Sequence, residues 1–299
     1  MSFRTLLLIV LLVPALLLGG AAAMGLRIPV PQLGRDYVMR FDLVGDGAAL
    51  DLPEIAGPND PSLPLVVIDA GHGGRDPGAT GVDAEGRTVQ EKDITLALAL
   101  ALRAELLDAG RIRVALTRAD DRILPLTHRS EIARMLEADL FVSIHADSAG
   151  ERDEVSGASI YTLSNEASSE AAARFAAREN DADRLNGIAI DGASETVSAI
   201  LVELSQQRTQ EDALEFAGLV VREGSERLAF VPEPRRSAAL AVLRAPDVPS
   251  VLFESGFVTN QFDRERLTTP EGQRQYAAAL ARAIRVYFAR RNLAQAGGE

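Results

Sequence analysis

Apolar residues along the chain fall alternately into short runs and long periodic stretches. Residues 65–68 (LVVI) form a short, β-branched-rich run between Pro64 and the small-residue turn at Gly71, which predicts a buried parallel strand. A loop rich in acids and glycine comes next, over 79–90. Ile94, Leu96, Leu98, Leu100, Leu102, Leu106 and Leu107 then predict a helix over 91–109, with Gly110 as its stop. Residues 112–117 (IRVALT) predict a strand, 126–137 a helix, 139–144 a third strand and 155–163 a fourth. Another strand is predicted over 250–253. Tyr276, Leu280, Ile284 and Phe288 mark the apolar side of a helix over 270–290, and residues 291–299 are expected to be disordered. Strands alternating with helices in this way predict an α/β domain over 65–290, with a mostly parallel central sheet flanked by helices on both faces.

Two segments do not fit that alternation. Residues 164–228 read as two or three helices, too long for a plain connection, and are expected to form a helical insertion. In its Ala-rich part, 168–185, helical spacing lines up Ala172, Phe175, Ala176, Glu179 and Ala182 or Asp183 along one side. An acid on that side has no evident role in packing. At the start of the chain, Arg4, an apolar run over 6–18, and Gly19, Gly20, Ala21, Ala22 and Ala23 stand in the order of a secretory signal, with cleavage expected after Ala23. Counted over 6–24 the same run is close to spanning length, so the alternative is an uncleaved anchor. Both outcomes export the rest of the chain. Residues 24–64 are proline-punctuated and weakly patterned, and are expected to be a tether carrying a hairpin over 37–52.

Composition narrows the chemistry. The 299 residues are 47% hydrophobic, enough for a full core, and the net charge of −12 argues against a nucleic-acid partner. The chain has no cysteine, which excludes thiolate metal sites, cysteine nucleophiles and disulfides. Any metal must therefore rest on His, Asp or Glu. Tryptophan is absent and aromatics make up 5%, which disfavours a stacking platform for sugars or single-stranded nucleic acid.

Of the three histidines, His72 and His145 each lie just past the end of a predicted strand, where ligands collect in an open α/β sheet. Glycines at 71, 73, 74 and 78 leave room beside His72 and let the chain turn. A phosphate-binding loop is disfavoured, because neither a P-loop Lys-Ser/Thr nor a GxGxxG spacing is present. His128 sits beside Arg129 on a mostly polar helix face and is expected at the surface. Glu91 opens a helix, where an acid can simply stabilise the helix dipole by ~0.3–1 kcal/mol or can face the sheet's ligand edge. Two imidazoles and one carboxylate make a ligand set for catalytic zinc, with a fourth position for water. Glu254, at the end of the strand over 250–253, is a non-ligand carboxylate suited to moving a proton. Asp69 and Asp147 are candidates to orient the ligands, with buried or capping roles as the alternative.

VVIDAGHGGRDPGATG (66–81), EKD (91–93), FVSIHADS (141–148) and VPSVLFESGFVTN (248–260) together resemble the blocks of the zinc-dependent N-acetylmuramoyl-L-alanine amidases of bacterial cell walls, cell-division type. The resemblance covers residues 65–288. It implies that His72, Glu91 and His145 hold zinc and that Glu254 is the catalytic acid. The implied reaction cleaves the amide between N-acetylmuramic acid and L-alanine in peptidoglycan, in the periplasm, for wall remodelling and daughter-cell separation. It further implies a plug helix whose glutamate fills the site, with Glu179 the candidate ahead of Glu170 and Asp183. An activator protein with a degenerate peptidase domain would release it, docking on the helices over 194–228. Membrane association is expected only if the N-terminal segment stays uncleaved.

Overall fold

A strand with apolar residues on both of its faces must be covered on both faces, and β1 (Leu65–Ala70) is buried along its whole length. A computed structural model of the chain describes residues 50–150, 152–185 and 199–296. The expected signal and most of the expected hairpin lie outside the described residues. The elements run β1, β2 (Thr80–Val82), β3 (Thr88–Gln90), α1 (Glu91–Asp108), β4 (Arg113–Leu116), α2 (Leu126–Met135), β5 (Leu140–Asp147) and β6 (Ala158–Leu163). They continue with α3 (Glu170–Asn180), α4 (Ala182–Leu185), α5 (Ala199–Gly224), β7 (Phe230–Ala238), β8 (Ser250–Phe257), α6 (Gln261–Thr268) and α7 (Pro270–Ala296).

The central sheet has six strands in the order β4-β1-β5-β8-β6-β7. β4, β1, β5 and β8 are mutually parallel, and β6 joins β8 antiparallel. Alternate side chains of β1 serve opposite layers, as strand geometry requires. Val66 and Ile68 pack with Leu98 and Leu102 of α1, Phe216 of α5, and Leu280 and Ile284 of α7. Val67 packs on the other side with Ile132 of α2, Phe175 of α3 and Leu252 of β8. The expected fold class, a mostly parallel sheet with helices on both faces, is the one observed. The strands expected to stop at 144 and 253 run on to Asp147 and Phe257, so His145 and Glu254 lie within β5 and β8. Parallel register sets Ile68 beside Val142 and His145 beside Glu254, which brings the C-terminal halves of β1, β5 and β8 to one edge.

Several elements differ from the sequence expectation. No strand is predicted at FVPEPRRSA, which carries two prolines, yet β7 forms there as the outer edge strand, where a missing N–H is tolerated. The loop 79–90 contains the short antiparallel pair β2 and β3. The expected disordered end begins too early: α7 runs through Ala296, and Arg291 donates to Asp212 Oδ2 at 2.6 Å and Tyr287 Oη at 2.7 Å. The helix expected over 168–185 breaks into α3 and α4 at Asp181. Nor is 164–228 wholly an insertion. Ala213, Phe216, Ala217, Leu219 and Val220 are buried in the main core, so the second half of α5 is a structural layer of the domain. The end of the expected tether is docked too. Ala56 exchanges backbone hydrogen bonds of 2.8 and 2.9 Å with Val114, which covers the open edge of β4.

Candidate metal centre

The first candidate ligand depends on an unusual backbone. Past β1 the chain turns through His72 at φ 62, a left-handed conformation that costs a non-glycine residue roughly 1–2 kcal/mol. Two neighbouring glycines are required by close approach. A Cβ on Gly71 would lie 2.5 Å from the His145 ring, and one on Gly78 would lie 2.5 Å from Glu91 Oε2 and 2.7 Å from His72 Cδ2.

His72 Nδ1 lies 2.8 Å from Asp76 Oδ2. Because an ionised carboxylate only accepts, Nδ1 carries the proton and Nε2 is turned to the site. His72 Nε2 is 3.0 Å from Glu91 Oε1 and 3.5 Å from Glu179 Oε2. His145 Nδ1 is 3.1 Å from Glu91 Oε1 and 3.2 Å from Glu179 Oε2. Glu91 is held from behind, accepting the N–H of Ala79 at 2.7 Å on Oε2 and that of Ala146 at 2.8 Å on Oε1. Its place in the first turn of α1 therefore serves the site as well as the helix. Glu254 ends the row, buried, with neither carboxylate oxygen hydrogen-bonded.

The electrostatics favour positive charge at this edge. Burial alone would lower His72 and His145, but it is outweighed at His72 by Glu91 and Asp76 and at His145 by Glu179 and Glu91, which raise both to about 10. Burial raises Glu254 well above the carboxylate range, reinforced by Asp147, Glu91 and Glu179. Burial also takes Asp147 up to about 6, against the pull of Arg178, with which it pairs. Buried His72 Nε2 has no hydrogen-bond partner, yet it faces Glu91 Oε1, another acceptor. Such a contact is satisfied by a proton on Nε2 or by a bound cation between the two atoms. Ligand atoms of His72, His145 and Glu179 lie within 4.8 Å of one another, and Glu91 Oε1 reaches both rings. A nitrogen and oxygen set without thiolate suits zinc.

His72, Glu91, His145, Glu254 and Glu179 thus gather at one edge. Of the other candidates, Asp183 lines the same pocket, whereas Glu170 and Asp69 do not. Glu170 is exposed, Asp183 accepts the Leu126 N–H at 3.0 Å, and Asp69 is engaged by Thr117, Ser143 and Arg129. His128 is exposed as expected, whereas its neighbour Arg129 is buried. Sequence reasoning missed Asp76 and Arg178. The signals were an acid four residues after His72 in the same glycine loop and a cation adjoining Glu179.

The family model described as N-acetylmuramoyl-L-alanine amidase matches residues 66–286. The N-acetylmuramoyl-L-alanine amidase AmiA of Salmonella typhimurium is 36% identical over 225 residues, which cover 75% of this chain and 76% of that protein. AmiC of Escherichia coli O6:H1 is 34% identical over 226 residues, 75% of this chain, and the match spans only 53% of that relative's length. Among solved structures, the amidase AmiC2 of Nostoc punctiforme superposes with a TM-score of 0.55 at 29% identity, covering 76% of this chain and 97% of that one. The CwlD amidase from Clostridioides difficile, solved in complex with the GerS lipoprotein, does so with a TM-score of 0.55 at 25% identity, covering 76% and 98%. Matched across most of its length, including every candidate site residue, the chain belongs to the N-acetylmuramoyl-L-alanine amidase family.

Proposed function

We propose that the protein is an exported zinc hydrolase that cleaves the amide between N-acetylmuramic acid and L-alanine in peptidoglycan, in the periplasm, for wall remodelling and daughter-cell separation. The observation that carries this reading is the meeting of His72, Glu91 and His145 with an unpartnered, buried Glu254 that lies opposite His145 in the neighbouring strand. His72, Glu91 and His145 would hold the ion. Zinc, when bound, would polarise the amide carbonyl and make an attacking water easier to deprotonate. Glu254 accepts that water's proton and returns it to the departing alanine nitrogen, so one residue serves as base and then acid. Asp76 and the Ala79 and Ala146 amides hold the ligands in place. No helix among the described residues is long and apolar enough to cross a membrane, so anchoring would rest on the N-terminal segment if it is uncleaved. Mass spectrometry of purified wall digested with the zinc-loaded protein is expected to show stem peptides with a free L-alanine amine and glycan with free lactyl carboxylates. Cleavage at any other bond would overturn the assignment.

The resting state in this reading is autoinhibited. α3 buries Ala172, Phe175, Ala176 and Glu179, and Phe175 stacks on Tyr161 with ring centroids 4.5 Å apart. Arg178 pairs with Asp147, and Glu179 sits against both histidines where substrate would have to enter. A carboxylate buried there persists only beside positive charge. An activator with a degenerate peptidase domain would favour the open state over the plugged one, docking on the outward face of α5, where Leu214 is exposed. The buried half of α5 is excluded from that surface. Glu179→Ala is expected to raise basal wall hydrolysis severalfold without any partner, measured as dye release from labelled wall. Unchanged hydrolysis by a folded, zinc-loaded variant would remove the plug from the account.

A further inference from the structure

The carbonyl oxygens of Ala70, Gly71 and His72 are all held by two arginine side chains. Arg118 donates from Nε to Ala70 O at 2.9 Å and from Nη2 to Gly71 O at 2.8 Å. Arg129 donates from Nη1 to Ala70 O at 2.7 Å and from Nη2 to His72 O at 2.8 Å. The two residues are 0% and 3% exposed, and a buried cation persists only where its donors are thoroughly satisfied. Arg129 has a counter-charge in Asp69 Oδ1 at 2.9 Å, and that carboxylate also accepts the Thr117 and Ser143 hydroxyls, each at 2.6 Å. Arg118 is surrounded instead by neutral oxygens: Lys92 O at 2.8 Å, Asp120 O at 3.0 Å and Thr95 Oγ1 at 3.1 Å, besides the two carbonyls. The Thr95 hydroxyl donates in turn to Gly71 O at 2.8 Å.

Core packing of an α/β domain has no need of two buried guanidinium groups under one turn. The turn itself does, because a left-handed non-glycine residue persists only when its surroundings over-determine it. We infer that Arg118 and Arg129 are positioning residues for the metal centre. Their forks fix the backbone oxygens of residues 70–72, and so fix the left-handed turn that presents His72 Nε2 to Glu91 and His145. Asp76 sets the rotation of the imidazole ring, and the arginines set the backbone that carries it. A planar fork can bridge two carbonyls at once, whereas a lysine ammonium in the same place is a point charge. The inference rests on the proposal that His72 holds zinc.

The test compares Arg118→Lys and Arg129→Lys in the full chain with Arg134→Lys. Arg134 lies on the same helix as Arg129 but pairs with Glu131 and Asp247. Three quantities are read: the zinc dissociation constant by chelator competition, the visible absorption bands of the cobalt-substituted protein, and the thermal midpoint without metal. Each clamp variant is expected to bind zinc at least ~10-fold more weakly, the usual scale for residues that orient ligands, and to shift the cobalt bands. Arg134→Lys should match the wild type in both. Thr95→Val removes one bond to Gly71 O with little change in shape, and it provides the same readings if a lysine variant does not fold. Wild-type zinc affinity and cobalt bands in the clamp variants, even with a lowered thermal midpoint, would make the arginines structural and overturn the inference. Absence of zinc binding by the wild-type chain would remove the metal reading and the inference with it, whereas equal binding by wild type and variants would remove the inference alone.

Discussion

His145→Ala is expected to abolish zinc binding and wall hydrolysis together. His145 stands two residues before the end of β5, with Nδ1 within 3.2 Å of both Glu91 and Glu179. Its ring also lies over Gly71, at the place where a Cβ would intrude. Alanine removes one of two imidazoles from a donor set that has no thiolate to fall back on, and a catalytic zinc keeps three protein ligands. It also leaves buried carboxylates short of a positive neighbour, a change that costs on the order of 3–5 kcal/mol when a buried pair is broken. The metal-free variant should therefore unfold at lower denaturant concentration than the metal-free wild type. Metal content after dialysis, read alongside hydrolysis, decides the matter. Full zinc occupancy in His145→Ala would mean that the ligand set is wrong.

Glu254→Gln should behave in the opposite way, with fold and zinc retained and turnover lowered by at least ~10²-fold, the scale of general acid–base catalysis. A structural acid in this fold has partners. Asp263, for example, accepts the N–H groups of Gly157 at 2.8 Å and Phe257 at 2.9 Å. Glu254 is as deeply buried, has none, and faces Asp147, Glu91 and Glu179. Glutamine keeps the shape and relieves that like-charge repulsion, so stability should hold or rise while proton transfer is lost. Zinc content, thermal midpoint and steady-state wall hydrolysis of one preparation separate these effects. Near-normal turnover would move the base to another residue.

The two substitutions differ because the site joins two kinds of acid. Glu91 is braced by backbone amides and by both rings, and its carboxyl is held below the ordinary range even though burial works to raise it. Glu254 has only burial and like charges around it. In the proposed mechanism these neighbours would suit Glu91 to be a ligand and Glu254 to carry protons.

The strands that hold the candidate residues, and the apolar runs that lead into those residues, are legible in the residues alone. β1, β5 and β8 each contain a short apolar run near their start (LVVI, LFV and VLF), a local signal that needs no knowledge of partners. His72, His145 and Glu254 can be placed directly from where those runs stop, and Gly110 ends α1 with φ 67, as a helix stop requires. Which polar groups meet is set by tertiary packing. The six-stranded order places β8 beside β5, although more than a hundred residues of chain separate them. The buried half of α5, the edge strand β7 with its two prolines, and the docking of Ala56 on β4 are likewise products of packing against distant elements. So are Asp76 on His72, Arg178 on Asp147, and the arginines beneath the His72 turn. The physical reason is the same in each case. An apolar run registers its own burial in its composition, but the partner of a charged group is chosen by strand register and by what the fold brings within hydrogen-bond reach, and neither is written in the residues nearby.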